Sequence, residues 1–204
     1  MPIYYFRHFM SVLLVLGMVA GVAACKPTIT REDPNLVKDL SGKWNDTDSR
    51  KVSEEMIQDV LSQPWLSKFN AKNGRVPTVI VGTVRNLSHE HINTQTFISD
   101  IRRALINSGE VSFVASSEER GEIRSERKDQ DLNASEATRK EMGNEVGADY
   151  MLKGTINTII DAIEGEQVRF YQVDLTLIDL SSNRMVWAGQ QKIKKSIERS
   201  GLRL

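Results

Sequence analysis

The chain contains a single cysteine, Cys25, whose surroundings point to chemistry at its sulfur atom. A lone thiol forms no intramolecular disulfide and lacks the companions that a cysteine-based metal cluster needs. Cys25 is therefore either a small apolar residue of a buried helix or a site of chemical modification. The preceding stretch favours modification, because Arg7 lies near the N-terminus, residues 9–22 carry no charge, and Ala23 and Ala24 directly precede the thiol.

A charged start, a short apolar run and a small-residue end are typical of a signal peptide, because a membrane-spanning helix needs about 20 apolar residues. The run Val22-Ala23-Ala24-Cys25 resembles the lipobox of bacterial lipoprotein precursors. The resemblance implies that residues 1–24 are removed and that Cys25 becomes the first mature residue, with a diacylglyceryl group on its sulfur. Two or more acyl chains hold a protein firmly on a bilayer. We therefore expect the mature protein to be anchored to the lipid bilayer through Cys25.

The other candidate reactive groups do not form a recognisable catalytic site. His89 and His91 flank Glu90 and could bind a metal, but no third histidine or cysteine of the mature chain completes a tetrahedral site, so a solvated loop is the preferred interpretation. No glycines bracket a serine as in a nucleophile elbow. Gly143 and Gly147 fall within or at the end of a predicted helix, where they cannot cradle a phosphate. The sequence predicts a protein that is not an enzyme and needs no cofactor or metal.

The length and net charge of the mature chain indicate one near-neutral domain. Without residues 1–24 the chain keeps about 180 residues, a usual length for one domain. The removed segment contains Arg7 and no acidic residue, so the mature chain has one more acidic than basic residue. Phosphate binding needs a concentrated positive field, and we therefore expect no nucleic-acid partner.

The N-terminal part of the mature chain divides into two stretches. Residues 25–48 are polar, contain prolines and show no sustained period, which predicts a lipidated N-terminus with a flexible tether. Residues 49–70 predict a helical extension that Asp48 or Ser49 caps and that Pro64 breaks. Its apolar residues Trp65 and Phe69 either pack on the main domain or contact a partner or membrane.

Hydrophobic periodicity predicts an α+β fold over residues 76–197. Apolar β-branched residues indicate strands at 77–86 and 110–116, and a helix that Thr94 caps lies between them. Period-two alternation then predicts three strands in a meander, with inward residues that include Tyr150, Leu152, Ile156, Ile160, Tyr171, Val173, Leu175, Leu177, Met185 and Trp187. The expected order is β-α-β-α-α-β-β-β, a sheet of three to five strands with helices packed on one face.

The two middle helices of this order differ in character. Residues 117–131 carry ten charges, and like-charged rows would repel along a helix. This stretch is expected to be a solvated, loosely docked helix or loop, with a charged docking face for a protein as the functional alternative. A further helix is predicted from Ser135 to before Gly147, with Ala137, Met142 and Val146 facing inward.

Several runs between residues 76 and 197 resemble the LpoB family of outer-membrane lipoproteins. The most specific are Asn86 after the first strand, the run Ile92-Asn93-Thr94, residues 147–156 (GADYMLKGTI), and the strand 171–179 that leads into MVWAGQ. The resemblance implies the fold of the amino-terminal domain of TolB-like proteins. It also implies a non-catalytic lipoprotein that binds and activates a class A penicillin-binding protein, a bifunctional peptidoglycan synthase.

The resemblance implies a location, and the exposed loop after the first strand and the polar positions of the meander supply candidate docking residues. Lys26 follows Cys25 where an aspartate would signal inner-membrane retention, which favours the periplasmic face of the outer membrane. The expected partner-binding residues are Asn86, Asn93, Thr94 and Arg169, although such asparagines more often bond loop backbone. The tether is shorter than the long linker of enteric members. A non-catalytic accessory lipoprotein of an outer-membrane assembly or secretion system, related to CsgG or TolB, is the alternative function.

Overall fold

The computed structural model describes residues 29–140 and 143–198. The predicted signal peptide, Cys25 and the beginning of the tether lie outside these residues. Residues 29–36 and the described residues from 37 onward belong to two separate units. The described part of the first, residues 29–36, is exposed and contains a turn in which Leu36 N–H donates to the Asp33 carbonyl at 3.0 Å.

The second unit contains four helices and five strands. The helices are α1 (Asp46–Ser62), α2 (Pro64–Asn73), α3 (Thr94–Asn107) and α4 (Ser117–Asn133). The strands are β1 (Thr78–Asn86), β2 (Ser112–Phe113), β3 (Tyr150–Ile163), β4 (Glu166–Asp179) and β5 (Met185–Glu198). None of the helices in the described residues is long and apolar enough to cross a bilayer.

The strands form one mixed sheet in the order β2-β1-β3-β4-β5. The strand β1 pairs in parallel with β2 and β3, whereas β3, β4 and β5 form an antiparallel meander. Pairing between β1 and β3 ends at Asn86 opposite Ile156, so β3 continues for seven residues beyond its neighbour. The predicted α+β class is confirmed.

Helices cover one face of the sheet, and the core lies between them. α1 contacts β5 and α3, and α3 contacts β1 and β2. Alternate residues of the strands point to this side and are buried, among them Leu152, Ile156, Tyr171, Val173, Leu175, Leu177 and Trp187. Phe97 and Met56 meet them from the helices and are 0% and 1% exposed. This alternation is what a sheet with one covered face requires.

The predicted helical extension shares this core. Pro64 occupies the first turn of α2, where its missing N–H costs no helical hydrogen bond, so it begins a helix after α1 ends. Trp65, Leu66 and Phe69 are buried, and the rings of Trp65 and Phe69 meet Tyr150 edge to face at 5.2 and 5.6 Å. α1 begins three residues before Ser49, with Asn45 as its cap.

The helix predicted from Ser135 to before Gly147 is not formed in the described residues of that stretch, which contain only a turn at 136–138. Val146 is 68% exposed and Ala137 is exposed as well. A short helix is marginal unless it buries an apolar face, and the described residues of this stretch bury none. The described residues between β2 and β3 therefore form one helix, α4, where the sequence predicts two.

The charged helix α4 is formed but buries no residue. Ser116 and Glu119 form a capping box that satisfies backbone N–H groups at its start. Two ion pairs, Arg102 with Glu119 at 3.1 Å and Arg124 with Glu145 at 2.8 Å, connect it to the rest of the unit. Exposed ion pairs of this kind contribute little, so α4 is held mainly by its own cap and helical hydrogen bonds.

Candidate functional site

The described residues contain no group of three or more His, Cys, Asp or Glu side chains that could hold a metal ion. His89 and His91 are exposed, while Glu90 between them points inward. The geometry thus separates the three residues that could have shared a site. The feature that remains is the loop of residues 87–93, which leaves β1 and enters α3.

Hydrogen bonds from Asn86 fix the shape of this loop. Its Nδ2 donates to the Glu90 carbonyl at 2.7 Å, and its Oδ1 accepts from the Ser88 backbone N–H and hydroxyl at 3.0 and 2.6 Å. The next residue, Leu87, donates its N–H to the Ile156 carbonyl at 2.8 Å. The loop is therefore tied to β1 at its start and to β3 beside it.

The Glu90 carboxylate is the centre of a buried polar cluster. It pairs with the Arg169 guanidinium, and the two side chains are only 10% and 12% exposed. The Tyr171 hydroxyl donates to Glu90 at 2.8 Å, and the Trp44 backbone N–H donates at 3.1 Å. A buried carboxylate with three donors is well compensated, and removing it would leave all three donors unpaired.

The same cluster fixes the residues before α1. The Trp44 ring meets Tyr171 edge to face at 5.6 Å. Lys195 donates to Asp39 and pairs with Asp48, each at 2.6 Å. Burial disfavours the charged lysine, but these two carboxylates more than offset it, so the pKa of Lys195 is raised. The predicted flexible stretch to residue 48 therefore ends near Asp39, because later residues are bonded to the sheet.

Burial, and then the hydrogen bond to Glu90, raises the pKa of Tyr171 to about 12. A tyrosine in the unfolded chain titrates near its ordinary value of about 10. Between these values the folded chain holds the proton and the unfolded chain releases it, so stability falls as pH rises. The full difference between the folded and unfolded pKa values corresponds to about 2 to 3 kcal/mol of unfolding free energy.

We therefore expect the free energy of unfolding to decline more steeply between about pH 10 and pH 12 in the wild-type chain than in Tyr171→Phe. Urea titrations of both chains across this range measure the difference. Identical slopes would show that the hydroxyl does not retain its proton in the folded state.

Asn93 and Thr94 lie at the other end of the loop. Asn93, not Thr94, caps α3, since its Oδ1 accepts from the Gln95 N–H at 3.0 Å. The prediction that Thr94 caps the helix is wrong by one residue, because Thr94 already has helical geometry and starts the first turn. Asn93 is exposed and Thr94 is half-buried.

The four residues predicted from sequence to bind a partner thus lie around one loop. Asn86 donates to the Glu90 backbone carbonyl, and Arg169 pairs with the Glu90 carboxylate. Their polar groups are engaged inside the fold, while Leu87, His89 and His91 present exposed side chains. Sequence reasoning missed Glu90. The sequence feature that could have identified Glu90 is its position as a single acidic residue in the short loop after a buried strand.

A sequence model of the family described as "Peptidoglycan-synthase activator LpoB" matches residues 48–193. A search of curated proteins found no match. The matched range begins in the first turn of α1 and ends within β5, so it includes every helix and most of every strand described above.

Several solved structures match parts of the chain at low sequence identity. The LpoB C-terminal domain from Salmonella enterica is 20% identical with a TM-score of 0.36, covering 65% of this chain and 94% of that chain. The NMR structure of E. coli LpoB is 17% identical with a TM-score of 0.35, covering 86% and 85%. Lipoprotein GNA1162 from Neisseria meningitidis is 13% identical with a TM-score of 0.38, covering 63% and 88%.

Proposed function

The chain belongs to the LpoB family of peptidoglycan-synthase activators, and on that premise we propose that it is a lipoprotein that binds and activates a class A penicillin-binding protein. The resemblance to this family read from the sequence is confirmed. In this proposal Cys25 carries the acyl chains, and the folded unit faces the periplasm from the outer membrane. The observation that carries the proposal is the family match over residues 48–193.

Activation by such a protein requires differential binding. An activator shifts its partner toward the active conformation only if it binds that conformation more tightly than the inactive one. A docking loop that is already rigid loses little conformational entropy on binding, so more of the contact energy remains for this difference. The loop 87–93 has this property, because Asn86 and the buried Glu90–Arg169 pair hold it before any partner arrives.

The proposed docking surface consists of the exposed side chains of this loop: Leu87, His89, His91 and Asn93. Leu87 is 52% exposed and supplies the apolar contact. Asn86 and Arg169 position the loop in this proposal, and Thr94 begins the helix that supports its other end. Buried apolar anchors contribute most to interfaces, so Leu87 is the residue whose removal tests the surface.

We expect Leu87→Ser to weaken binding of the full-length, detergent-extracted chain to its synthase by about tenfold and to reduce stimulation of glycan polymerisation. The matched control is Leu132→Ser on α4, where the leucine is 83% exposed and lies on another element. Both variants should keep the wild-type melting temperature. Equal losses of binding in both, or none in either, would remove the loop from the docking surface.

The identity of the partner is tested by capture from periplasmic and membrane extract. The chain between Cys25 and Asp39 reaches at most about 50 Å when fully extended, so the synthase must come within that distance plus the length of the folded unit from the membrane. A penicillin-binding protein as the main captured protein supports activation. Capture of outer-membrane assembly or secretion subunits instead would favour the accessory lipoprotein.

A further inference from the structure

A cavity of about 850 Å³ lies beside α2, where β3 begins, β4 ends and β5 begins. It is at the opposite end of the sheet from the loop 87–93, because β1 starts beside the first residues of β3 and reaches the loop at its other end. Its size is typical of sites for small ligands. The docking proposal makes no use of it.

Aromatic side chains from two sides line the cavity. Trp65 and Phe69 come from α2, and Tyr150 and Trp187 come from the strands. The indole N–H of Trp187 is already used, since it donates to Asp59 at 2.9 Å. These rings form the apolar part of a cavity wall that also contains polar groups, and each of the four is at least nine-tenths buried.

The hydroxyl of Tyr150 has no hydrogen-bond partner among the described residues. Tyr150 is only 6% exposed and lines the cavity. Burial, and then the nearby carboxylates of Asp179 and Asp149, raises its pKa, so the hydroxyl keeps its proton and remains a donor. Because Tyr150 lines the cavity, its hydroxyl is available to donate a hydrogen bond to a ligand acceptor there.

Charges of opposite sign lie on the two sides of the cavity. Lys68 and Lys72 are exposed on the helix side and form no ion pair with a described residue. On the strand side, Asp149 is paired with Arg75 at 2.7 Å. Asp179 accepts three hydrogen bonds on Oδ1 from the following serines, and Oδ2 accepts none from the described residues.

This arrangement selects among classes of ligand. Asp149 is neutralised by Arg75, so a purely anionic ligand would face the carboxylate of Asp179, and a purely cationic one would face the two lysines. A neutral apolar ligand would leave Tyr150 unpaired. A ligand with a negative group at one end, a positive group at the other and an acceptor between them satisfies all of these groups.

We propose that the cavity binds a short peptide with a free amine, a free carboxylate and small apolar side chains. The carboxylate pairs with Lys68 and Lys72, the amine donates to Asp179 Oδ2, and a peptide carbonyl accepts from the Tyr150 hydroxyl. The apolar side chains pack against the rings of Trp65 and Phe69. The aromatic surface fixes the position of the peptide and the charges fix its direction.

The test is calorimetric titration of the full-length chain in detergent with trialanine. Acetylated and amidated trialanine, which has the same backbone without the charges, serves as the matched ligand, and chitobiose represents neutral sugars. We expect saturable binding of trialanine alone. Tyr150→Phe should weaken it about two- to tenfold without lowering the melting temperature, because the deleted hydroxyl makes no bond in the free protein.

The lysines provide a second, independent variant. Lys68→Met with Lys72→Met should weaken binding about fivefold at low salt, while Lys51→Met on the exposed surface of α1 should not change it. If Tyr150→Phe fails to fold, the lysine variants decide. No binding of trialanine, equal binding of the capped peptide, binding of chitobiose instead, or unchanged affinity in the variants would each overturn the proposal. None of these results depends on a synthase.

Discussion

Glu90→Ala is expected to lower the free energy of unfolding by about 3 to 5 kcal/mol, the usual cost of removing one partner from a buried ion pair. The substitution leaves the Arg169 guanidinium, which is only 12% exposed, without its counter-charge. It also leaves the Tyr171 hydroxyl and the Trp44 N–H without their acceptor. Urea titration of the wild-type chain and the variant at pH 7 measures the loss.

Two further variants show that the cost comes from the uncompensated charge. Glu90→Ala combined with Arg169→Met removes both charges and should recover part of the stability, because no buried charge is left unpaired. The Tyr171 hydroxyl and the Trp44 N–H still lack their acceptor, so the recovery is incomplete. Glu145→Ala breaks the more exposed pair with Arg124 and should leave stability unchanged. If Glu90→Ala and Glu145→Ala behaved alike, the cluster around Glu90 would not be a structural centre.

The strands show what alternation predicts and where it fails. Ile156, Tyr171 and Leu175 were assigned to the core by period two and are buried. Met185 has the same parity in sequence as Trp187 but is 70% exposed, because the pairing of β4 with β5 shifts between Leu177 and Ile178. A bulge inserts one extra residue and so reverses the inward and outward parity of the residues beyond it. The local sequence pattern does not predict where such a bulge occurs.

Ile160 is a second exception, with a different cause. It has the same parity in β3 as the buried Ile156 but is 40% exposed, because β1 ends opposite Ile156 and no described strand lies beside that part of β3 on the β1 side. Ile159 and Ile163, in the same part of β3, are 65% and 74% exposed. How far a neighbouring strand extends is a property of the sheet, not of the strand that it covers.

The candidate site was less predictable than the sheet because its contacts are distant in sequence. The sequence predicts Asn86 as a loop residue and Arg169 as a polar position of the meander, but it places Glu90, the residue that joins them, in a solvated loop. Its burial follows from Arg169, which lies 79 residues away. In the same way, Asp39 belongs to a stretch whose composition predicts flexibility, and it is fixed by bonds to Asn45 and to Lys195, which lies 156 residues away.

Cys25→Ala is expected to abolish lipidation of the protein. Each buried methylene of an acyl chain contributes about 0.8 kcal/mol, so two or more chains hold a protein firmly on a bilayer. We expect labelled palmitate on the wild-type chain and none on the variant. The readout is the label and not the membrane fraction, because an unlipidated precursor that keeps residues 1–24 still carries an apolar run. Lys26→Ala is the control that should keep the label. Palmitate on the variant would contradict lipidation at Cys25.

The same variant separates anchoring from folding and docking. The described core residues begin at Val52, and the bonds that fix the start of the folded unit begin at Asp39, so the loss of Cys25 acyl chains should leave the melting temperature unchanged. Binding to the synthase in solution should also persist, because the loop 87–93 is held by Glu90 and Arg169. Stimulation of the synthase in cells should fall, since a tether confines the loop near its partner and raises its effective concentration. Full stimulation by the unanchored chain would show that activation needs the loop but not the membrane.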